Sequence, residues 1–221
     1  MRVLECMAGT GSIGRAFREI GAEVTSLDSD PKAEADICCD IVEWRPEHPP
    51  GHWDVVWFSP PCTEFSRALT TRERQLEPAL AIIRRCLELI EELKPRYWFM
   101  ENPWTGLLPK TDLCRDLPYR VVSYCNWGSE THKYRKHTWI ATNCTAWQPH
   151  AKCSRANPCE HLKDGKHPEQ AQRGPTKGCQ SNRQTLKQLY SMPHGLCQSI
   201  AKAASEGLQE ASRPEIGELG E

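Results

Sequence analysis

The first half of the chain alternates short apolar runs with amphipathic stretches, and this rhythm limits the folds available to it. In the segment 78–93, Leu80, Ile83, Leu87 and Ile90 recur at helical spacing. Such alternation is typical of βαβ units around a mostly parallel sheet. The pattern predicts an α/β fold with strands at 3–7, 23–27, 35–38, 54–58, 97–101, 120–124 and 138–141, and helices at 12–20, 78–93 and 193–204.

Length and composition narrow the class of protein. The 221 residues suit one domain with a small insertion. No apolar stretch is long enough for a membrane helix, and the first residues predict a strand rather than a signal peptide, so we expect a soluble intracellular protein. The 12 cysteines are scattered, which favours buried thiols, a catalytic thiol or a metal site over disulfides.

Charge is distributed unevenly along the chain. The net charge of −1 argues against coating of nucleic acid by bulk electrostatics. Residues 131–188 nevertheless carry 11 Lys or Arg against 3 Asp or Glu, while residues 205–221 carry 5 Glu and 1 Arg. The basic stretch suits a phosphate-binding face or an ordinary solvated surface equally well. The acidic, polar end is predicted to be disordered.

A glycine-rich turn lies between the first strand and the first helix, in the segment 5–14. Glycines there let backbone amides approach a ligand closely, and the helix N-terminus favours a negative group. Asp28 follows 19 residues after Gly9, where nucleotide-binding α/β folds place an acid for ribose hydroxyls. Asp40, before Ile41, could flank an adenine. These residues do not distinguish NAD from another adenosine-containing cofactor, because either would fit them.

The segment 59–66 directly follows an apolar strand and contains Pro60-Pro61-Cys62. Two prolines stiffen the chain and would fix the direction of the Cys62 thiol at the carboxyl edge of the sheet, where ligands bind in this architecture. Taken alone, such a cysteine is better interpreted as buried and structural. Glu101 favours a functional role for Cys62 instead. It ends another predicted strand, and parallel strands would bring it to the same edge of the sheet. A desolvated carboxyl there could stay protonated and donate to a ring nitrogen.

These segments resemble the DNA cytosine-5 methyltransferase family, and its sequence blocks occur here in order. The run 5–11 resembles the cofactor loop, Asp28 the ribose acid, and Asp40-Ile41 the adenine pair. The run 190–193, followed by 196–203, resembles the last block, a helix that completes the cofactor pocket. The resemblance implies a Rossmann-like S-adenosylmethionine-dependent methyltransferase fold with a small Cys/His-rich insertion.

The catalytic blocks resemble the family as well. Pro60-Pro61-Cys62 with Phe65-Ser66 is similar to the nucleophile loop, Glu101-Asn102 to the acid block, and Arg135 to part of an Arg-x-Arg block. There are three departures. Pro103 stands where valine is usual, and His137 replaces the second arginine unless the register shifts to Lys133 and Arg135. The recognition region is also short, as would suit a small viral or phage-type member.

The resemblance implies roles for individual residues. The catalytic residues would be Cys62, Glu101 and Arg135. The S-adenosylmethionine contacts would be Glu5, Met7, Ala8, Gly9, Thr10, Gly11, Ser12, Ile13, Asp28, Ser29, Asp40, Ile41, Ser59 and Pro60. The substrate contacts would be Pro61, Phe65, Ser66, Asn102, Lys133 and His137.

The implied reaction is methyl transfer to carbon 5 of cytosine in DNA. Cys62 would attack C6 of the base, Glu101 would bind N3 and the exocyclic amine, and Arg135 would lie near O2 and the thiolate. The base would have to be flipped out of the duplex to reach them. The implied domains are a catalytic domain at 1–142 plus 189–204, a basic recognition insertion at 143–188 and a tail at 205–221.

The insertion contains many possible metal ligands and few apolar residues. A tetrahedral zinc ion held by Cys144, Cys153, Cys159 and His167, with His161 or Cys179 as substitutes, would explain how such a polar stretch is ordered. A loop with incidental cysteines, ordered only on binding, has comparable weight. Basic side chains among these residues make the insertion the expected DNA-contacting element.

The sequence alone is compatible with several other functions. The same chemistry would methylate cytosine in RNA, a related donor could replace S-adenosylmethionine, and a catalytically silent nucleic-acid-binding homologue would keep the same fold. An amino-group methyltransferase would use Ser59-Pro60-Pro61 as a base clamp, but an aromatic residue rather than Cys62 would then be expected.

Overall fold

A computed structural model describes residues 1–128, 131–171 and 186–211. Seven strands form one sheet: β1 (Arg2–Cys6), β2 (Glu23–Asp28), β3 (Ile37–Cys38), β4 (Val55–Phe58), β5 (Tyr97–Pro103), β6 (Tyr119–Ser123) and β7 (His137–Thr142). The helices are α1 (Ser12–Glu19), α2 (Leu76–Leu93), α3 (Leu186–Tyr190) and α4 (His194–Ala211). The predicted α/β fold, with all seven predicted strands and all three predicted helices, is confirmed.

The strand order is β3-β2-β1-β4-β5-β7-β6. Strands β1 to β5 are parallel, whereas β7 is antiparallel to both of its neighbours. The order reverses between β1 and β4, and ligands bind at such a switch point beyond the carboxyl ends of the strands. The start of β7 lies at that same edge because β7 runs the opposite way.

Each face of the sheet has its own apolar core. On one face, Phe17 of α1 and Ile200 of α4 pack with Trp57 and Phe99 of the central strands. On the other face, Ile83 and further apolar residues of α2 cover the sheet. The strand β4, Val-Val-Trp-Phe, is buried along its whole length because both faces are covered.

The predicted domain boundaries differ from the structure at two places. Helix α4 continues through 205–211, so this part of the expected disordered tail is helical, and buried Gly207 packs against the ring of Tyr97. Residues 212–221 lie outside the described part. Cys144 and Trp147, assigned to the insertion, pack in the core that α1 and α4 form against the sheet. No described helix has the length and apolar character needed to cross a membrane.

Candidate active site

The glycine-rich turn is held in place by the next strand. Gly9 and Gly11 adopt φ angles of +51° and +63°, which glycine tolerates without strain. The Gly9 N–H donates to Oδ2 of Asp28 at 2.8 Å, and the Asp30 N–H donates to Oδ1 at 2.8 Å. Asp28 therefore fixes the shape of the turn while lining the cavity beside it.

A buried acid lies beneath this turn. Glu5 is 2 % exposed, and its Oε1 accepts a hydrogen bond from the Ile13 N–H at 3.2 Å. Burial raises the pKa of Glu5 to about 7, although the N–H groups of Gly14 and Ile13 and the charges of Arg18 and Arg15 oppose the rise. The carboxyl consequently titrates near neutral pH at the first turn of α1.

The loop after β4 carries the predicted nucleophile. Cys62 is half-buried, and the loop is tied to β5 by the Asn102 side chain, whose Nδ2 donates to the carbonyl of Pro60 at 2.9 Å. Phe65 is fully buried beneath the loop. Burial raises the pKa of the Cys62 thiol; the negative charge of Glu101 raises it further, and Lys136 lowers it.

Glu101 lies near the end of β5, beside this loop. Burial raises its pKa, and Lys136 and the hydroxyls of Thr138 and Tyr124 oppose the rise. Its Oε1 is buried and accepts no hydrogen bond from the residues that the structure describes. A buried polar atom without a hydrogen-bond partner costs folding free energy. This oxygen is therefore suited to accept a hydrogen bond from a bound ligand.

The cation beside Cys62 and Glu101 is Lys136 rather than Arg135. Lys136 Nζ lies 4.5 Å from the ring centroid of Tyr124, and Lys136 lines the same cavity as Cys62. Arg135 is exposed and lies outside the cavity lining. The pKa of His137 is lowered to about 4, mainly by burial of His137 and further by the charge of Arg135. Side chains of neighbouring residues in extended chain point to opposite sides, so only one of the two can face the cavity.

One cavity of about 720 Å³ joins the glycine-rich turn to Cys62. This volume is within the usual range for small-molecule sites. Of the predicted cofactor residues, those along its wall are Glu5, Met7, Ala8, Gly9, Thr10, Ser12, Ile13, Asp28, Ser59 and Pro60. Pro61, Cys62 and Glu101 complete the wall at the other end, with Lys136.

Other predicted residues do not line the cavity. Asp40 uses Oδ1 to accept the Val42 N–H at 2.9 Å in a turn, and Ile41 is buried in the core. His137 binds Ser123 Oγ through Nδ1 at 2.7 Å. The remaining predicted residues outside the cavity lining are Gly11, Ser29, Phe65, Ser66, Asn102 and Lys133.

The cavity also has walls that were not assigned from sequence. A short 3₁₀ turn after β2, Pro31–Ala33, contributes, and so does Trp57 of β4. Tyr190 and Met192 come from the run that resembles the family's last block, and the Met192 N–H donates to Ser12 Oγ at 3.3 Å. The further wall residues are Asp30, Lys32, Ala33, Glu34, Thr63 and Pro103.

A Cys/His group lies outside the cavity. The ligand atoms of Cys125, Cys153, Cys159 and His167 all lie within 4.8 Å of one another. Cys125 replaces the expected Cys144, which is 2 % exposed and packs in the core with Trp147. Among the expected substitutes, His161 binds the carbonyl of Gly128 at 2.6 Å, and Cys179 lies outside the described residues.

Comparison with known proteins identifies the family. The family model for C-5 cytosine-specific DNA methylases matches residues 1–107. A "Probable DNA (cytosine-5)-methyltransferase" of Frog virus 3 (isolate Goorha) is 30% identical over 179 residues, covering 73% of this chain and 79% of the viral protein. The chain belongs to the C-5 cytosine-specific DNA methylase family. It is thus an S-adenosylmethionine-using enzyme of the DNA (cytosine-5)-methyltransferase class.

The fold of this methylase also occurs among solved structures. The Entamoeba histolytica methyltransferase EhMeth superposes with a TM-score of 0.54 at 10% identity, covering 94% of this chain and 98% of that one. At such low identity the likeness supports the Rossmann-like methyltransferase fold alone.

Proposed function

We propose that this methylase transfers the methyl group of S-adenosylmethionine to carbon 5 of a flipped cytosine in DNA through a covalent bond to Cys62. The observation that carries the proposal is the shared cavity, in which the glycine-rich turn lies at one end and Cys62, Glu101 and Lys136 lie at the other. A donor bound along the turn and a base bound at the thiol would therefore meet in one shared cavity.

The cofactor end has the groups that an adenosine donor needs. The backbone amides of the turn at Gly9 and the α1 N-terminus suit the carboxylate of the donor, and the second lone pairs of the Asp28 oxygens remain for ribose hydroxyls. Met192 and the exposed ring of Tyr190 provide apolar cover over the pocket. When bound, S-adenosylmethionine supplies an electrophilic methyl group at its sulfonium.

The base end supplies the activation that cytosine requires. Cys62 as thiolate forms a bond to C6, and the electron pair of the C5–C6 double bond moves to C5. C5 then bonds the methyl carbon while the bond of that carbon to the donor sulfur breaks and leaves its electron pair on the sulfur. Removal of the C5 proton by a base then reforms the C5–C6 double bond and breaks the sulfur–C6 bond. Cys62 thus ends as it began.

Two side chains support these steps. Glu101, protonated when the base is bound, donates to N3 of the ring, and its buried Oε1 without a hydrogen-bond partner supports this role. Lys136, rather than the predicted Arg135, favours the thiolate and offsets charge near the base. The ring edge of a stacked base would be out of reach, so the target cytosine is flipped into the cavity.

The insertion is the proposed DNA-contacting element. It carries Lys152, Arg155, Lys163 and Lys166, while the catalytic domain supplies the pocket. Phosphate contacts of this kind position a protein on DNA without reading its sequence. We place the boundary of the insertion after Trp147, since Cys144 and Trp147 belong to the catalytic core.

The test uses radiolabelled S-adenosylmethionine with mixed DNA and RNA, followed by digestion to nucleosides. Label in 5-methyldeoxycytidine supports the proposal, whereas label in 5-methylcytidine moves the substrate to RNA. A denaturation-resistant adduct with 5-fluorocytosine-containing DNA is expected for the wild type and not for Cys62→Ala. Cys38→Ala, at an exposed cysteine on β3, is the matched control. Full turnover by Cys62→Ala would refute the covalent mechanism.

A further inference from the structure

The ligand atoms of the Cys/His group are close enough together to surround one metal ion. Cys153 Sγ lies 3.7 Å from His167 Nε2, and Cys159 Sγ lies 3.3 Å from the same nitrogen. Zinc bonds of usual length place a sulfur and a nitrogen ligand about 3.6 Å apart across a tetrahedral ion. We propose that Cys125, Cys153, Cys159 and His167 bind one structural Zn²⁺ ion that fastens the insertion to the catalytic domain.

The donor set favours zinc among the common cations. Three thiolates and one imidazole are soft and borderline ligands, which suit Zn²⁺ and not Mg²⁺ or Ca²⁺. Four protein ligands fill a tetrahedral shell and leave no position for a substrate. The site is thus structural rather than catalytic.

The ligands come from two separate parts of the chain. Cys125 belongs to a 3₁₀ turn, Tyr124–Asn126, that directly follows β6. The other three come from a stretch, 153–167, that contains a single large aliphatic residue, Leu162. A stretch so poor in apolar side chains cannot order itself by burial, and a metal ion provides the missing free energy.

A tight hairpin turn supports the position of His167. The N–H of Lys163 donates to the carbonyl of Lys166 at 3.0 Å, and the reverse bond is 2.9 Å long. Asp164 and Gly165 adopt φ angles of +50° and +74°, as an Asp-Gly hairpin turn requires. The turn reverses the chain after Cys159 and brings His167 back beside it.

The same ligands are anchored at the carboxyl edge of the sheet. The Cys153 N–H donates to Ser123 Oγ at 3.0 Å, and Ser123 Oγ also binds His137 Nδ1. Cys125 is adjacent to Tyr124, whose ring lies under Lys136 in the base-binding part of the cavity. The ion therefore connects the basic insertion to the wall of the base pocket.

This arrangement separates the effect of zinc on DNA from its effect on the cofactor. The cofactor end is built from β1, α1 and β2, and none of the four ligands lies on those elements. Loss of zinc should loosen the insertion and weaken DNA binding at least tenfold, while affinity for S-adenosylmethionine changes less than twofold. This part of the inference rests on the proposed DNA-contacting role of the insertion.

The first experiment measures the metal content of the whole 221-residue chain purified without chelator. We expect one equivalent of zinc, and after its replacement by Co²⁺ the absorption bands of a tetrahedral thiolate-ligated ion. Absence of stoichiometric metal, together with no thiolate-to-cobalt band on titration of the chelated, reduced protein, would overturn the proposal. Neither measurement depends on methyl transfer, so failure of the site and failure of the proposed activity are distinguishable.

Variants then identify the ligands. Cys125→Ser and Cys159→Ser should each retain less than one third of the zinc and alter the cobalt spectrum. Cys144→Ala, which changes a buried cysteine outside the group, should retain one equivalent even if it lowers stability. The opposite result, with zinc lost from Cys144→Ala and kept by Cys125→Ser, would refute the assigned ligand set. If Cys125→Ser is insoluble, the half-buried Cys159 gives the deciding variant.

Discussion

Asn102 donates its side-chain amide to the carbonyl of Pro60 across 2.9 Å, and so joins the strand of Glu101 to the loop of Cys62. Both groups are buried. We therefore expect Asn102 to hold Cys62 and Glu101 in position, although it does not line the cavity. Its neighbour Glu101 points to the opposite side of the strand, because side chains alternate along a strand, and it lines the cavity.

Replacement of Asn102 by Ala should lower the rate of methyl transfer by about 10- to 100-fold, because small displacements of reacting groups have effects of this size. Affinity for S-adenosylmethionine should stay within about twofold. Single-turnover kinetics and equilibrium binding measure the two quantities. Asn143→Ala is the matched control, since Asn143 bonds the backbone of Arg96 and Trp98 away from Cys62. Equal loss of rate in both variants would contradict a positioning role.

Lys136 and Glu101 should shift the pKa of the Cys62 thiol in opposite directions. Removal of the positive charge in Lys136→Met should move the pKa of the thiol upwards. Glu101→Gln removes the negative charge that Glu101 carries when ionised, in the protein without bound base, and should move the pKa of the thiol downwards. The pH dependence of alkylation of Cys62 measures both shifts. Arg135→Met serves as the control and should leave the midpoint unchanged. A larger shift for Arg135→Met than for Lys136→Met would restore the assignment made from sequence.

Glu5 should make the protein less stable as the pH rises. The folded-state pKa of about 7 exceeds the ordinary value of 4.5, so the folded state binds more protons than the unfolded state between these values. The unfolding free energy should therefore fall, by up to about 3 kcal/mol from this group, as the pH rises from about 4.5 to 7. Urea denaturation across this range measures the effect.

Glu5→Gln keeps the shape and cannot ionise, so it should flatten this part of the pH profile. Glu43→Gln, at an exposed position, should leave the profile as it is in the wild type. An unchanged slope in Glu5→Gln would show that Glu5 does not titrate in this range.

Gly14 leaves room for the Glu5 carboxylate at the start of α1. A Cβ at this position would lie 2.4 Å from Glu5 Oε2 and 3.2 Å from Val24 Cγ1. An alanine in a helix normally stabilises by about 1 kcal/mol relative to glycine. We expect Gly14→Ala to destabilise by about 1–3 kcal/mol instead, because the buried acid has no space to move.

Thermal unfolding and S-adenosylmethionine titration measure the consequence, since displacement of Glu5 should also disturb the glycine-rich turn, the proposed cofactor site. Shortening of the acid in the Gly14→Ala/Glu5→Asp double variant should recover part of the loss. A stabilised Gly14→Ala protein with unchanged affinity would contradict the predicted clash.

Much of this site follows from local patterns. The apolar runs predict the positions of the central strands. Because parallel strands end at one edge of the sheet, Cys62 and Glu101 could be predicted to lie close together. The glycine-rich turn and Asp28 likewise belong to one βαβ unit, so their spacing in sequence carries over to space.

Other parts depend on relations that the sequence does not display. The choice of Lys136 over Arg135 requires the register of β7 and the side of the chain that faces the cavity. Cys125 lies far along the sequence from Cys153 and reaches it only because β6 ends at the same edge, whereas Cys144 is nearer in sequence but is drawn into the core. The helical part of the tail is ordered by packing against Tyr97 and not by its own polar composition.

The position of β7 between β5 and β6 also orders events during synthesis of the chain. Strand β5 can pair with β4 as soon as it emerges, but its other edge stays open until residues 137–142 arrive. A nascent chain can thus form the glycine-rich turn before Lys136 arrives to complete the other end of the cavity. The exposed edge of β5 is an aggregation hazard during that interval, and a chain stalled before β7 would keep the hazard without gaining the reaction.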